Sequence, residues 1–326
     1  SVRTSKNSTG NAGNLTINAQ SLKIQDGAEV GADTFGAGRG GIVTVNVPDI
    51  EIIGTGGKKG ETPSSLSSSA ERQSTGNAGN LNIITNRMVV RDGAFVAANT
   101  SSDGNGGDLN ITAEDVQIIG RGGQDPVNNR PYVSGIFVTA EPKSPEVPST
   151  GNAGELTIDT TTMLVQDGAI VSASTNSNGN GGDLTINATD SLRVLGRGSD
   201  VISGTSSQFS EGKAGDLKIT TNTLLIENGG EISSGTSGGG NGGNLTVDAK
   251  TVQLAGKGDS GPSFNELSVR TSKNSTGNAG NLTINTDTLK IQNGSRVDAD
   301  TFGSGKGGNV SVNATDLEII GTSSNG

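Results

Sequence analysis

Aliphatic and polar residues alternate in short runs that return along the whole chain. The first kind of run reads aliphatic-x-aliphatic, from Leu15/Ile17 and Val43/Val45 through Leu81/Ile83, Leu109/Ile111 and Leu156/Ile158 to Val310/Val312. It occurs ten times, with both positions aliphatic in every copy. Period-two alternation predicts a half-buried β-strand. A second run follows each first one, as in Leu22/Ile24, Ile50/Ile52, Met88/Val90, Leu192/Val194 and Leu317/Ile319. The residues between them (Gln20-Ser21, Thr189-Asp190, Asn222-Thr223) are turn formers. Each second run stops at a glycine, such as Gly27, Gly54, Gly93, Gly120, Gly256 or Gly321. In alternate copies that glycine follows Asp26, Asp92, Asp167, Asn228 or Asn293. Asp-Gly and Asn-Gly predict a tight corner at positive φ. A third run then reads Ala28-x-Val30-x-Ala32-x-Thr34, with counterparts starting at Ala94, Ala169, Gly230 and Ser295. In the other copies it is weaker and lies at 64–70, 135–140, 201–205 and 267–271.

Glycine motifs punctuate these runs. Gly10-Asn11-Ala12-Gly13-Asn14 precedes the first strand, with counterparts at 76–80, 151–155, 212–216 and 277–281. A sister Gly-Gly motif opens at Gly40, Gly106, Gly181, Gly242 and Gly307, always 30 residues after the first glycine of the preceding motif. The return distances vary: 36, 45, 31 and 35 residues. One coil of each pair therefore has a fixed length, and the next carries an insertion, at 54–74, 121–150, 197–211 and 257–274. Three strands per turn, a corner glycine and a period near thirty predict an all-β, right-handed parallel β-helix. It would have about ten three-strand coils in five two-coil units, at roughly 10–75, 76–150, 151–211, 212–276 and 277–326, forming a single domain. Residues 1–18 recur unchanged as 268–285, which reads as a fragment of a longer array.

Composition alone leans toward disorder, with 53 glycines and 2% aromatics, but the register of the aliphatics overrides it. The net charge of −10 argues against nucleic acid and anionic lipid as partners. No apolar run is long enough to span a membrane, and none reads as a targeting segment. With no His and no Cys, the commonest nucleophile–base pairs and zinc sites are absent. The Asp26/Asp92/Asp167 row is a set of turn residues. Asn99, Ser101, Asp103 and Gly104 resemble the start of a calcium loop, but Asn110 stands where its bidentate Glu belongs. An outward row of Thr16, Thr44, Thr157, Thr185 and Thr246, beside Asn18, Asn46, Asn187, Asn285 and Asn313, reads as a solvated hydroxyl and amide ladder. It departs from an ice-binding lattice at Asn82, Asn110 and Lys218. Lys23 with Glu51 and Lys290 with Glu318 read as surface ion pairs between coils. No residue is assigned a catalytic, cofactor-binding or metal-ligating role.

The runs Gly10-Asn11-Ala12-Gly13-Asn14-Leu15-Thr16-Ile17-Asn18, Leu22-Lys23-Ile24-Gln25-Asp26-Gly27-Ala28, Gly242-Gly243-Asn244-Leu245-Thr246-Val247 and Leu317-Glu318-Ile319-Ile320-Gly321-Thr322-Ser323 carry a resemblance. They resemble the repeat region of filamentous-haemagglutinin-type exoproteins of the two-partner secretion route, over essentially the whole chain. The resemblance implies a secreted bacterial cell-surface rod, exported through an outer-membrane partner and acting in adhesion, biofilm or surface structure. Self-association into fibres and binding to cell-surface glycans or matrix polysaccharide fit that expectation. No functional residue carries over, because the repeat holds scaffold positions only. The rival expectation is a polysaccharide-cleaving β-helix enzyme, for which Arg130, Tyr132 and Glu141 in the most irregular insertion are the available residues.

Overall fold

The computed structural model describes residues 1–326 except 59, 73, 145, 206–210, 256–264 and 322–326. Gly256 and parts of the insertions at 54–74, 121–150, 197–211 and 257–274 fall outside the described residues, as do Thr322 and Ser323. The chain winds into an all-β parallel β-helix. Its first strands form one ladder of ten, from Leu15–Asn18 to Val310–Ile320, and the second strands lie in the same sheet. The third strands form a separate nine-stranded ladder from Glu29–Gly31 to Arg296–Thr301. Every aliphatic pair meets its counterpart one coil away in register: Leu15 faces Val43, Ile111 faces Ile158, and Val165 faces Val194. Stacked Ile158, Ile186, Ile219 and Val247 are fully buried. The tenth coil is covered from one side, so its inward Leu317 and Ile319 are exposed.

The two glycine motifs prove to be one. The ladder offset from Leu15 to Val43 is 28 residues, not 30, so Gly10-x-x-Gly13 superposes on Gly38-x-x-Gly41. The third position alternates between Ala (Ala12, Ala78, Ala153) and Gly (Gly40, Gly106, Gly181), which made the copies look different. The flanking glycines stack through the array at a separation that leaves no room for a side chain. A Cβ on Gly107 would lie 1.9 Å from the Gly79 carbonyl oxygen, and one on Gly104 2.1 Å from that of Gly76. The polar residues of the motif also form ladders. The Asn105 side-chain oxygen accepts from the Asn152 N–H at 3.0 Å, and Asn152 in turn accepts from the Asn180 N–H at 2.8 Å. Asp108, Asp183, Asp216 and Asn244 do the same three residues further along the motif. The threonine ending the third strand closes this corner: buried Thr34, Thr100 and Thr175 donate to the carbonyls of Gly38, Gly104 and Gly179.

The opposite corner is the expected Asp-Gly turn. Asp92 and Gly93 sit at φ 59° and 87°, and Asp167 and Gly168 at 57° and 87°. Its cap comes from the following coil and explains why coils pair. The Gly27, Gly93 and Gly168 N–H groups donate to the hydroxyls of Ser64, Ser134 and Ser199, and Gly229 N–H donates to the Asn265 side-chain oxygen. Each insertion re-enters the helix at that capping residue, so its length is free while its end is fixed.

Two expectations need correction. From Leu156 onward the first and second strands fuse into single strands, such as Leu156–Gln166 and Leu217–Glu227. Thr189-Asp190 and Asn222-Thr223 therefore lie within strands and form no turn. The chain bends by placing two consecutive residues outward, as at Thr161 and Thr162, with the Thr160 hydroxyl donating to the Thr162 carbonyl. The extra residue of the sixth coil is absorbed as a register shift between Ala188 and Ser191. Second, the span 121–150 is not all insertion, because the third run expected at 135–140 forms within it. It contains Gly135–Phe137, whose Ile136 is fully buried in the third ladder. The removable part is the tip of an antiparallel hairpin, Arg121–Gly122 with Tyr132–Val133. Replacing 124–130 with an Asn-Gly turn is expected to cost about 1 kcal/mol or less. Far-UV circular dichroism and the thermal midpoint check this; loss of the β-signal would refute it. The inter-coil ion pairs form as expected, Lys23–Glu51 at 3.7 Å and Lys290–Glu318 at 2.9 Å.

Candidate functional site: a recessed face on the third ladder

Strand parity sets two outer faces with different characters. On the first ladder the amides bond to one another along the axis, as from Asn110 to Asn82 at 3.1 Å and from Asn313 to Asn285 at 2.8 Å. The outer face of the third ladder is sunken. Between Ser65 and Ser272 none of its described outward side chains is exposed. Small residues form the floor: Ser67, Ala97 and Ser172 follow one another in register with Phe137 between the last two, and Ser233 and Ser268 continue the row beyond Ile202. Ala97 is 1% and Ser174 3% exposed, although both point away from the core. Larger residues stand along the edges, and the result is a groove parallel to the rod axis.

The groove has three parts. At the amino-terminal end Arg3 bonds Glu29 at 2.6 Å, lies 3.5 Å from Asp33 and covers the Phe35 ring at 5.9 Å. Asp33 is 3% exposed and accepts from the Ser67 hydroxyl and the Ser69 N–H. Burial pushes its carboxyl above the ordinary carboxylate range despite those bonds. Glu71 is raised by burial and then by Asp33. The middle is a cavity of about 350 Å³ with Phe137, Ile170 and Ile202 as its apolar surface and Asn99, Glu141 and Asn176 among its polar groups. Phe137 lies edge-on to Phe95, centroids 6.3 Å apart, and its ring passes over Gly135, where a Cβ would be 2.1 Å from it. At the far end Arg270 bridges Glu231 at 2.8 Å and Glu266 at 2.6 Å. Beside them Asp200 is pushed up to about 7 by burial and then by Glu231, against Arg121 and Arg270. Asp298 rises to about 6 through burial, Glu266 and Asp300.

The residues singled out from sequence scatter relative to this groove. Glu141 lines it and accepts two bonds from the Asn176 amide at 3.0 and 2.9 Å. Tyr132 lies in the separate hairpin strand Tyr132–Val133 and donates to the Glu61 carbonyl, and Arg130 is exposed on the hairpin. The three do not converge. Asn99 and Asp103 are likewise engaged apart: Asn99 accepts from the Thr139 N–H, while Asp103 pairs with Lys143 and Thr150. Among the described residues no three carboxylates stand close enough to hold one metal ion. The groove itself escaped sequence reading. Its one legible trace is the duplicated segment, which places Arg3 and Arg270 at the same outward position, each among carboxylates. No protein-family model, curated protein or solved structure matches this chain.

Proposed function

We propose that this chain is part of a secreted, rigid rod at a bacterial cell surface, of the filamentous-haemagglutinin type, working in adhesion or surface architecture. The reading is carried by one observation. An unbroken in-register ladder of ten coils holds a lengthwise groove of polar, ring-bearing and charged side chains. A parallel ladder rises about 4.8 Å per coil, so ten coils make a stiff rod of about 50 Å. Loops and grooves on such a scaffold are where binding is placed. Export through an outer-membrane partner belongs to the same proposal and rests on the resemblance of the repeats.

Electron microscopy of the native material is the test. Thin filaments with an axial repeat of about 4.8 Å are expected. Discrete globular particles would overturn the rod reading. The enzyme reading is the second outcome to watch, and release of reducing ends from a polysaccharide panel would bring it forward.

A further inference from the structure

The groove carries more carboxylates than cations, and the excess is spread along its length. Glu29, Asp33 and Glu71 share Arg3 at one end; Asp200, Glu231 and Glu266 share Arg270 at the other. The two clusters are about six coils apart, about 25–30 Å at the rise of a parallel ladder. Because no three carboxylates converge on one point among the described residues, a single metal ion does not match this charge. Amines spaced along an extended molecule do.

A second observation concerns buried hydrogen-bonding atoms. Ser268 lies on the outer face between core residues Leu267 and Val269, is 0% exposed, and its hydroxyl has no hydrogen-bond partner among the described residues. Neither does Oδ1 of Asp298, its neighbour in register. Buried polar atoms left unpaired are costly, and these two adjacent ones lie under the outer face of the third ladder, on the strands next to Ser233 and Arg270 of the groove.

The middle of the groove narrows the class of occupant. Phe137, Ile170 and Ile202 make an apolar surface on which a sugar ring packs, and Asn99 and Asn176 supply amides beside it. The floor's backbone N–H and C=O groups are committed to the ladder, so a peptide finds no strand edge to join. Glu29, Asp33, Glu71, Asp200, Glu231, Glu266 and Asp298 outnumber Arg3, Arg121, Arg270 and Arg296, and the excess repels polyuronates and sulfated glycans.

We propose that the groove binds one linear amine-bearing polysaccharide, a partly de-N-acetylated hexosamine chain, laid parallel to the rod axis. Its ammonium groups sit at the two carboxylate–arginine clusters and its rings on the Phe137–Ile170–Ile202 surface. The proposal rests on the adhesive-rod reading and names the glycan that the rod would hold.

Isothermal titration of the full chain with a glucosamine hexasaccharide tests it. The fully N-acetylated hexasaccharide, a polygalacturonate oligomer and a lysine-rich peptide of equal charge serve as comparisons. The glucosamine chain is expected to bind, in a salt-sensitive way, at least about tenfold more tightly than the acetylated one. The polygalacturonate is expected not to bind. Glu231→Gln and Phe137→Ala are each expected to weaken binding by about tenfold while the circular dichroism spectrum is kept. Equal binding of the acetylated chain would overturn the charge argument. Tighter binding of the peptide would overturn the glycan, and no binding at all would overturn the groove as its site. Filaments in the microscope would stand through any of these failures, so the rod reading falls or survives separately.

Discussion

One methyl group added at Gly182 is expected to break the helix locally, while the same methyl at Gly181 is expected to be tolerated. A Cβ on Gly182 would lie 1.7 Å from the carbonyl oxygen of Gly154 in the coil below. That contact is backbone against backbone, so no rotamer change relieves it, and the coils must separate. A Cβ on Gly181 would meet Ala173 O at 3.2 Å and Gly215 N at 3.3 Å, which a shift of a few tenths of an ångström accommodates. Ala already occupies that third position at Ala153 and Ala214 in the flanking coils. Gly182→Ala should therefore cost about 3 kcal/mol or more, at the upper end of overpacking effects, and Gly181→Ala about 1 kcal/mol or less. Chemical denaturation of both variants decides it. Amide exchange should speed up around coils five to seven in Gly182→Ala alone. Equal stability of the two would refute stacking without side-chain room as the basis of the corner.

Lowering the pH from 7 to 5 is expected to stabilise the protein. Asp200 has a folded pKa of about 7, raised by burial and Glu231, with Arg121 and Arg270 opposing. Its unfolded value is the ordinary one near 3.8. Between these values the folded chain holds a proton that the unfolded chain releases, so stability falls as pH rises through that window and is lowest above about 7. Asp298, up to about 6 and facing Glu266, Asp300, Arg270 and Arg296, acts in the same direction at lower pH. Asp103 acts oppositely. Its pKa is lowered by Lys143 and Thr150, so its contribution is present above the ordinary value and lost only in stronger acid. The shift at Asp200 corresponds to a limit of about 4 kcal/mol, and a realised effect of about 1–3 kcal/mol is expected. Asp200→Asn should raise the thermal midpoint at pH 8 and flatten its slope between pH 5 and 7. A midpoint that climbs toward neutral pH in the parent chain would contradict the assignment.

The array was legible in the chain because its rules are local and repeated. Alternation at Leu109/Ile111 or Val116/Ile118 has one solution once a neighbouring coil covers the same face. Asp92-Gly93 at the end of an alternating run marks a left-handed corner, since few other pairs adopt positive φ at both residues, whereas Asp103-Gly104, outside such a run, does not form one. Tertiary structure decided the rest. Leu81/Ile83 and Leu109/Ile111 stand 28 residues apart in the chain, but only the stacked backbones showed that the glycines keep the same offset, Gly104 and Gly107 of one motif meeting Gly76 and Gly79 of the other. Ser64, Ser134, Ser199 and Asn265 became corner caps only across coils, at separations set by insertions of unrelated length. The groove depends on outward side chains whose depth is a property of their neighbours on adjacent strands and rims. Parity marks Ser172, Ser174 and Asp200 as outward, like any surface residue. Only the stacking of nine coils sinks them below their flanks, leaving two carboxylate clusters and a phenylalanine floor on one line.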